Sequence, residues 1–473
     1  MKTKDEKKKI GQFLTSARIA KFMAAMFTQK NDVILLDPGA GHGALTDAVI
    51  DSNLDITSIT HYETDATLFD ILNDKYSGHS FNYELVTSDF IESGSDLVNW
   101  RQTPFTHVIM NPPYKKINSN SKHRKALRAV EIETVNLYSA FVALALLLLK
   151  ENGELVAIIP RSFCNGPYYK PFRELIFKAG SIDKIHLFDS RNDQFKEEDV
   201  LQENIIIKLS KRPQVDIIEI SHSMDSSFTD LKIEQHDFKE LVKPECDEGF
   251  IHIPSWKEEQ TIELYSTSLN SFSSIGLQAS TGPVVDFRMK SDLIYDADIQ
   301  DVPLLYPGHF QGRKITWPKE EFKKPNAIRL TAESKKWLYS SAGSYVVVNR
   351  FSAKEEKRRV VANVVDCSTF ESEWIGFENH LNVFHESKHG FDKYLALGLA
   401  AYLNSSLVDN YVRQFSGHTQ INVTDLKNLK YPDRNTLISL GHYIDEHHEL
   451  SDETINRKVV DLLEHRIPHK RSS

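Results

Sequence analysis

Between residues 33 and 50 the chain places a strand, a glycine-rich turn and a helix start in immediate succession. Val33-Ile-Leu-Leu-Asp37 is apolar up to its final carboxylate, as a strand buried on both faces would be. Pro38-Gly-Ala-Gly-His-Gly43 follows, and Ala44 to Ile50 opens a helix. Glycines let the backbone approach a ligand without Cβ clashes. The helix N-terminus behind them favours an anionic group. Strand, glycine turn and helix together form a nucleotide-cofactor signature. The Gly-Lys-(Ser/Thr) ending of a phosphate loop is missing, and the loop alone leaves a dinucleotide open.

The alternation continues. Ile56 to Tyr62 reads as a second strand, and its end carries Glu63, 20 residues after Gly43. An acid at that spacing accepts hydrogen bonds from ribose hydroxyls. Asp65 caps a helix to about Lys75. Tyr83 to Asp89 reads as a third strand and its exit, with Asp89 open to a helix-capping role and Phe90 open to a core role. The fourth strand, His107-Val-Ile-Met, ends in Asn111-Pro-Pro-Tyr114. Two prolines stop the ladder and hold Asn111 extended at the strand's carboxyl end, where α/β sheets keep ligands. An aromatic exocyclic amine is a poor nucleophile because its lone pair is delocalised. The Asn111 side-chain oxygen and the Pro112 carbonyl can both accept from such an amine and expose its lone pair, while Tyr114 can stack on the ring.

Lys115 to Arg128 holds six Lys or Arg and no acid, and reads as a mobile basic loop beside this edge. A helix over Thr134 to Lys150, a fifth strand over Glu154 to Pro160 and a helix over Tyr168 to Ala179 follow. Ile182–Phe188 and Asn204–Leu209 are two more strands with no helix between, so one runs antiparallel. The expected fold is α/β: a doubly wound, mostly parallel seven-stranded sheet over residues 1–211. Lys211-Arg-Pro213 ends the alternation. Residues 212–434 read as a mixed α+β domain rich in turns, basic residues and aromatics, and 435–473 as a helical tail.

On these motifs the chain resembles the S-adenosylmethionine-dependent DNA adenine-N6 methyltransferases of the gamma class, of the PstI-like restriction-modification type. Asp-Pro-Gly-Ala-Gly-His-Gly resembles their Asp-Pro-x-x-Gly-x-Gly loop, and Asn-Pro-Pro-Tyr their amine motif. The Gly11-Gln-Phe-Leu-Thr-Ser segment resembles the one that folds over the cofactor's methionine end, with Ser16 where that family has Pro. The resemblance implies a class I, Rossmann-like fold and S-adenosyl-L-methionine bound by Thr15, Asp37, Gly39, Gly41, Glu63, Asp89 and Phe90. It implies base flipping, catalysis by Asn111, Pro112 and Tyr114, and stacking of the base by Tyr114 and Phe195, with Phe188 as the alternative. Residues 212–434 would be the target-recognition domain. The DNA-binding candidates are Lys115, Lys116, Arg124, Arg313, Arg350, His418 and Gln420. Cytosine-N4, protein-glutamine and RNA methylation are the rival reactions.

The whole-chain charge of −9 is a weak guide, because nucleic-acid binding depends on where basic residues cluster. Three scattered cysteines give neither a disulfide framework nor metal spacing. No metal is expected. Without a signal peptide or a membrane-length apolar run, the expectation is a cytoplasmic protein acting on double-stranded DNA. Cleavage is expected from a separately encoded restriction endonuclease.

Overall fold

The computed structural model describes residues 15–188, 203–242, 247–253, 269–312, 314–352, 356–415, 419–447 and 450–464. The chain divides into two compact units, Met1–Ile253 and Pro254–Ser473.

The first unit is a doubly wound α/β layer structure. Its strands are β1 (Val33–Pro38), β2 (Ile56–Tyr62), β3 (Asn82–Val86), β4 (Phe105–Met110), β5 (Leu149–Pro160), β6 (Ser181–Phe188), β7 (Asn204–Ser210), β8 (Ile217–Ser223) and β9 (Lys232–Asp237). The helices are α1 (Ala17–Ala25), α2 (Ala44–Ile50), α3 (Phe69–Tyr76), α4 (Phe90–Asn99), α5 (Lys122–Ala129), α6 (Leu137–Leu148) and α7 (Lys170–Ala179). Strand order is β3-β2-β1-β4-β5-β7-β6-β8-β9. Strands β3, β2, β1, β4 and β5 are parallel neighbours, and β7 lies antiparallel between β5 and β6.

Alternate strand residues serve the two faces, as a pleat requires. Leu36, Val108, Met110, Leu155 and Ala157 join α4, α6 and α7 in one core. Leu35, Ile109, Val156 and Ile158 join α1 and α2 in the other. The sheet order reverses between β1 and β4, which is the switch point where α/β folds open a crevice.

Three expectations are corrected here. The sheet has nine strands, not seven, because β8 pairs parallel with β6 and β9 antiparallel with β8. The boundary expected after residue 211 therefore falls inside the first unit, which runs to Ile253. Lys115 to Arg128 is also not a loop throughout. Ser121 caps α5 by accepting from the Arg124 N–H at 3.2 Å.

The second unit is mixed α+β. Strands β10 (Gln278–Thr281), β11 (Val302–Leu305), β12 (Ser344–Asn349), β13 (Ala362–Asp366), β14 (Trp374–Phe377) and β15 (Leu381–His385) include a four-stranded sheet ordered β10-β15-β12-β13. Helices α8 (Lys393–Leu403) and α9 (Arg434–Glu446) cross through two glycines. A Cβ on Gly398 would stand 1.8 Å from the Leu437 carbonyl, and one on Gly441 1.8 Å from that of Tyr394, so nothing larger fits this crossing.

Candidate active site

The switch point holds a cavity of about 340 Å³ lined by the β1–α2 turn, the ends of β2 and β4, and residues of α4, α5 and α6. The turn depends on its glycines. Gly39, Gly41 and Gly43 have φ of 81°, 57° and 76°, in the left-handed region. A Cβ on Gly43 would lie 2.1 Å from the Tyr76 hydroxyl oxygen. That hydroxyl donates to the Gly43 carbonyl at 2.9 Å and to Asp47 at 2.8 Å, tying α3 under the turn.

Glu63 closes the turn from the end of β2. Its Oε2 accepts from the Gly41 N–H at 2.9 Å, and its Oε1 accepts from the N–H groups of Thr64 and Asp65, both at 2.8 Å. This carboxylate thus pins the glycine turn while facing the cavity. Asp89 stands across from it as the N-cap of α4, with Oδ1 accepting from Ile91 N–H at 2.9 Å and Glu92 N–H at 3.1 Å. Its second oxygen meets His123 Nε2 at 3.1 Å. Phe90 is buried against Tyr62 and Phe141 at 5.0 and 5.1 Å between ring centres, and forms part of the cavity wall.

Asp37 does not line the cavity. It is 1 % exposed, behind the turn, and its Oδ2 accepts from the Thr46 hydroxyl at 2.9 Å. Thr46 also meets His61 at 2.8 Å. Burial pushes the Asp37 carboxyl up to about 7, with Glu63 and Asp47 adding to the rise, and burial pushes His61 down to about 3.

Asn111 reaches the same cavity from the end of β4. Its Nδ2 donates to Thr15 Oγ1 at 3.0 Å, and its Oδ1 accepts from the Tyr114 hydroxyl at 3.0 Å. The amide is therefore held at both ends, by the residue preceding α1 and by its own motif. Ser16, not Thr15, is the N-cap of α1, which leaves the Thr15 hydroxyl for Asn111. Tyr114 also donates to the Ile158 carbonyl at 3.1 Å, and burial raises its phenol above the ordinary range. Its ring meets Tyr138 edge-on at 6.1 Å. Pro113 and Lys115 line the cavity, and Pro112, between the lining residues Asn111 and Pro113, is buried.

The basic stretch separates into parts. Lys115 and Lys116 are exposed. Arg124 is turned inward, with its guanidinium donating to Glu133, so it is not a free surface cation. Phe188 is core, packed on His186 at 4.6 Å and against Phe228. Phe195, Arg313 and His418 lie outside the described residues. Arg350 and Gln420 belong to the second unit, where Phe351 bridges Gln420. Sequence reasoning missed His123, which sits within the basic stretch, and its signal was the Ser121 cap that makes this stretch a helix. Among the described residues no group of His, Cys, Asp and Glu could hold a metal ion, and no helix is long and apolar enough to cross a membrane.

Residues 16–195 match the Eco57I restriction-modification methylase model. The Type II methyltransferase M.BsuBI of Bacillus subtilis is 45 % identical over 97 % of this chain and 94 % of its own length. The chain belongs to this Type II methyltransferase family. M.PstI of Providencia stuartii is 38 % identical over 92 % of the chain and 90 % of its own length. A DrdV–DNA complex shares the fold, with a TM-score of 0.51 at 12 % identity over 93 % of this chain and 57 % of that one. This Type II methyltransferase is thus a modification enzyme of the restriction-modification kind, a DNA methyltransferase, and both relatives match its two units together.

Proposed function

We propose that the enzyme transfers a methyl group from S-adenosylmethionine to N6 of an adenine flipped out of duplex DNA, protecting a site that a separately encoded nuclease cuts. The observation that carries this reading is the Asn111 amide. It is fixed between Thr15 and Tyr114 and lines the cavity built by the glycine turn.

The residues fit the cofactor. A cavity near 340 Å³ is in the range of small-molecule sites. Glu63 would accept from a ribose, Asp89, whose Oδ2 also meets His123, would accept from an adenine amine, and Phe90 would meet the face of that ring. The N-terminal end of α2 behind the glycine turn favours a carboxylate. When bound, S-adenosylmethionine supplies a methyl group already activated on sulfur. The chain's own work is positioning and electrostatics. Asn111 Oδ1 accepts a hydrogen bond from the Tyr114 hydroxyl, which orients it, and would be the first acceptor for the target amine. The Pro112 carbonyl is the second acceptor. Two acceptors would draw the amine nitrogen towards a pyramidal, nucleophilic form and stabilise the positive charge that develops on it as the methyl group arrives, until the surplus proton is lost to solvent. Tyr114 contributes its ring to the base and its hydroxyl to Asn111.

The test is incubation of purified protein with S-adenosylmethionine and unmodified genomic DNA, followed by modification-sensitive sequencing. N6-methyladenine confined to one short motif is the expected result. N4-methylcytosine would change the base and keep the mechanism, and no modified base would turn the assignment to RNA or protein.

A further inference from the structure

The two oxygens of Asp89 are held by different elements. Oδ1 accepts from the N–H groups of Ile91 and Glu92, which fixes it to the start of α4. Oδ2 meets His123 Nε2 at 3.1 Å, and Asp89 and His123 both line the cavity. A carboxylate can only accept, so Nε2 carries the proton and donates. No other hydrogen bond reaches Oδ2 among the described residues, so this oxygen keeps a lone pair for a further donor.

Helix α5 is built to present His123 inward. Leu127, one turn further on, is fully buried in the core that also takes residues of α4 and α6. Lys122, Lys125 and Arg128 are exposed on the helix. Arg124 donates to one Glu133 oxygen and Arg128 to the other at 3.2 Å, which fastens α5 to the segment before α6. His123 therefore approaches Asp89 from a helix whose own position is fixed. The same cavity has an apolar wall from Phe90, Leu137 and Phe141. An apolar wall with one oriented carboxylate suits a flat ring that offers an N–H edge.

We propose that His123 is a cofactor-positioning residue: by holding Asp89 Oδ2 it turns the remaining lone pair towards the adenine amine, and so sets a preference for an amino-purine over an oxo-purine. This rests on the reading of the cavity as the S-adenosylmethionine site and of Asp89 as the acceptor for its adenine. Without His123, α4 fixes one carboxylate oxygen and water takes the other. An oxo-purine brings a carbonyl oxygen where the amine stood, against an oxygen that can only accept. Such a mismatch is rejected best when the acceptor is held in place.

The test is calorimetric titration of S-adenosylhomocysteine and its deaminated analogue, S-inosylhomocysteine, into wild type, His123→Ala, His123→Leu and His123→Gln. Neither compound requires DNA or turnover. Wild type should bind the adenosyl compound about ten-fold or more tighter, the scale of one hydrogen bond to a charged group. His123→Ala and His123→Leu should lower that ratio at least about three-fold. His123→Gln, whose Nε2 can donate from nearly the same place, should restore it. A ratio unchanged in the Ala and Leu variants, even with both affinities lowered together, would overturn the proposal and leave the pair as a tie between α4 and α5. Equal binding of both compounds by wild type would overturn the reading of Asp89, and binding of neither would overturn the assignment of the cavity. The His123 side chain is 31 % exposed, so the variants should fold, and equal melting temperatures check this. His123→Leu keeps the bulk of the ring and carries the test if His123→Ala melts early.

Discussion

Replacing Glu63 by Gln tests how the cavity is assembled. The carboxylate accepts three backbone N–H bonds, from Gly41 at 2.9 Å and from Thr64 and Asp65 at 2.8 Å. A glutamine has the same shape but can present only one oxygen. If that oxygen keeps the Thr64 and Asp65 bonds, its NH2 faces the Gly41 N–H and the turn loses its clamp. Hydrogen bonds to a charged group contribute about 1.5–3 kcal/mol, so losing one, with the others made neutral, removes about 2–3 kcal/mol. Where the clamp acts on the bound form, this corresponds to about a 30- to 150-fold weaker cofactor Kd. Calorimetric titration of S-adenosylmethionine into Glu63→Gln reads this directly. A Kd within about three-fold of wild type would refute the claim that Glu63 organises the turn.

Two further perturbations probe buried charge. Lys208 and Glu154 form a pair at 2.7 Å with almost no exposure, joined by Thr28, so Lys208→Met strands a carboxylate and should cost about 3–5 kcal/mol in urea unfolding. The double replacement of both partners by apolar residues should recover most of that loss. Asp37, raised to about 7, holds its proton in the folded state at pH values where the unfolded chain has released it. Its contribution to stability is therefore complete below the unfolded value of 3.8 and falls as pH rises towards 7. Asp37→Asn, which keeps an acceptor for Thr46, should flatten the melting temperature across that window, and an unchanged slope would contradict the assignment.

The first unit was legible because its information is local. The glycine turn, Glu63 and Asn111 sit at strand ends that continuous apolar runs mark plainly, and β1 to β7 follow them. The misplaced boundary has a physical cause. β9 is the edge strand and β8 its only neighbour, and their exposed Ile217, Lys232 and Ile233 break the buried pattern of the inner strands. Lys211-Arg-Pro213 looks like an end because two charges and a proline follow an apolar strand, yet Lys211 is half-buried and its Nζ donates to the Leu147 and Leu149 carbonyls at 2.7 Å. Arg124 was misjudged because composition shows a cation and not its partner, and Glu133 lies beyond the basic stretch. The Asn111–Thr15 bond spans 96 residues, so no spacing rule exposes it. In the second unit β10 pairs with β15 about a hundred residues later, so its sheet is invisible to any local rule.

The most direct test of the central claim is single-turnover methyl transfer to duplex DNA by Asn111→Ala, with S-adenosylmethionine affinity measured on the same preparation. The account predicts a rate lower by about 10²–10³ or more, the scale of losing one preorganised polar contact to the reacting group, with cofactor affinity near wild type. Transfer at close to the wild-type rate would contradict the placement of the target amine at Asn111.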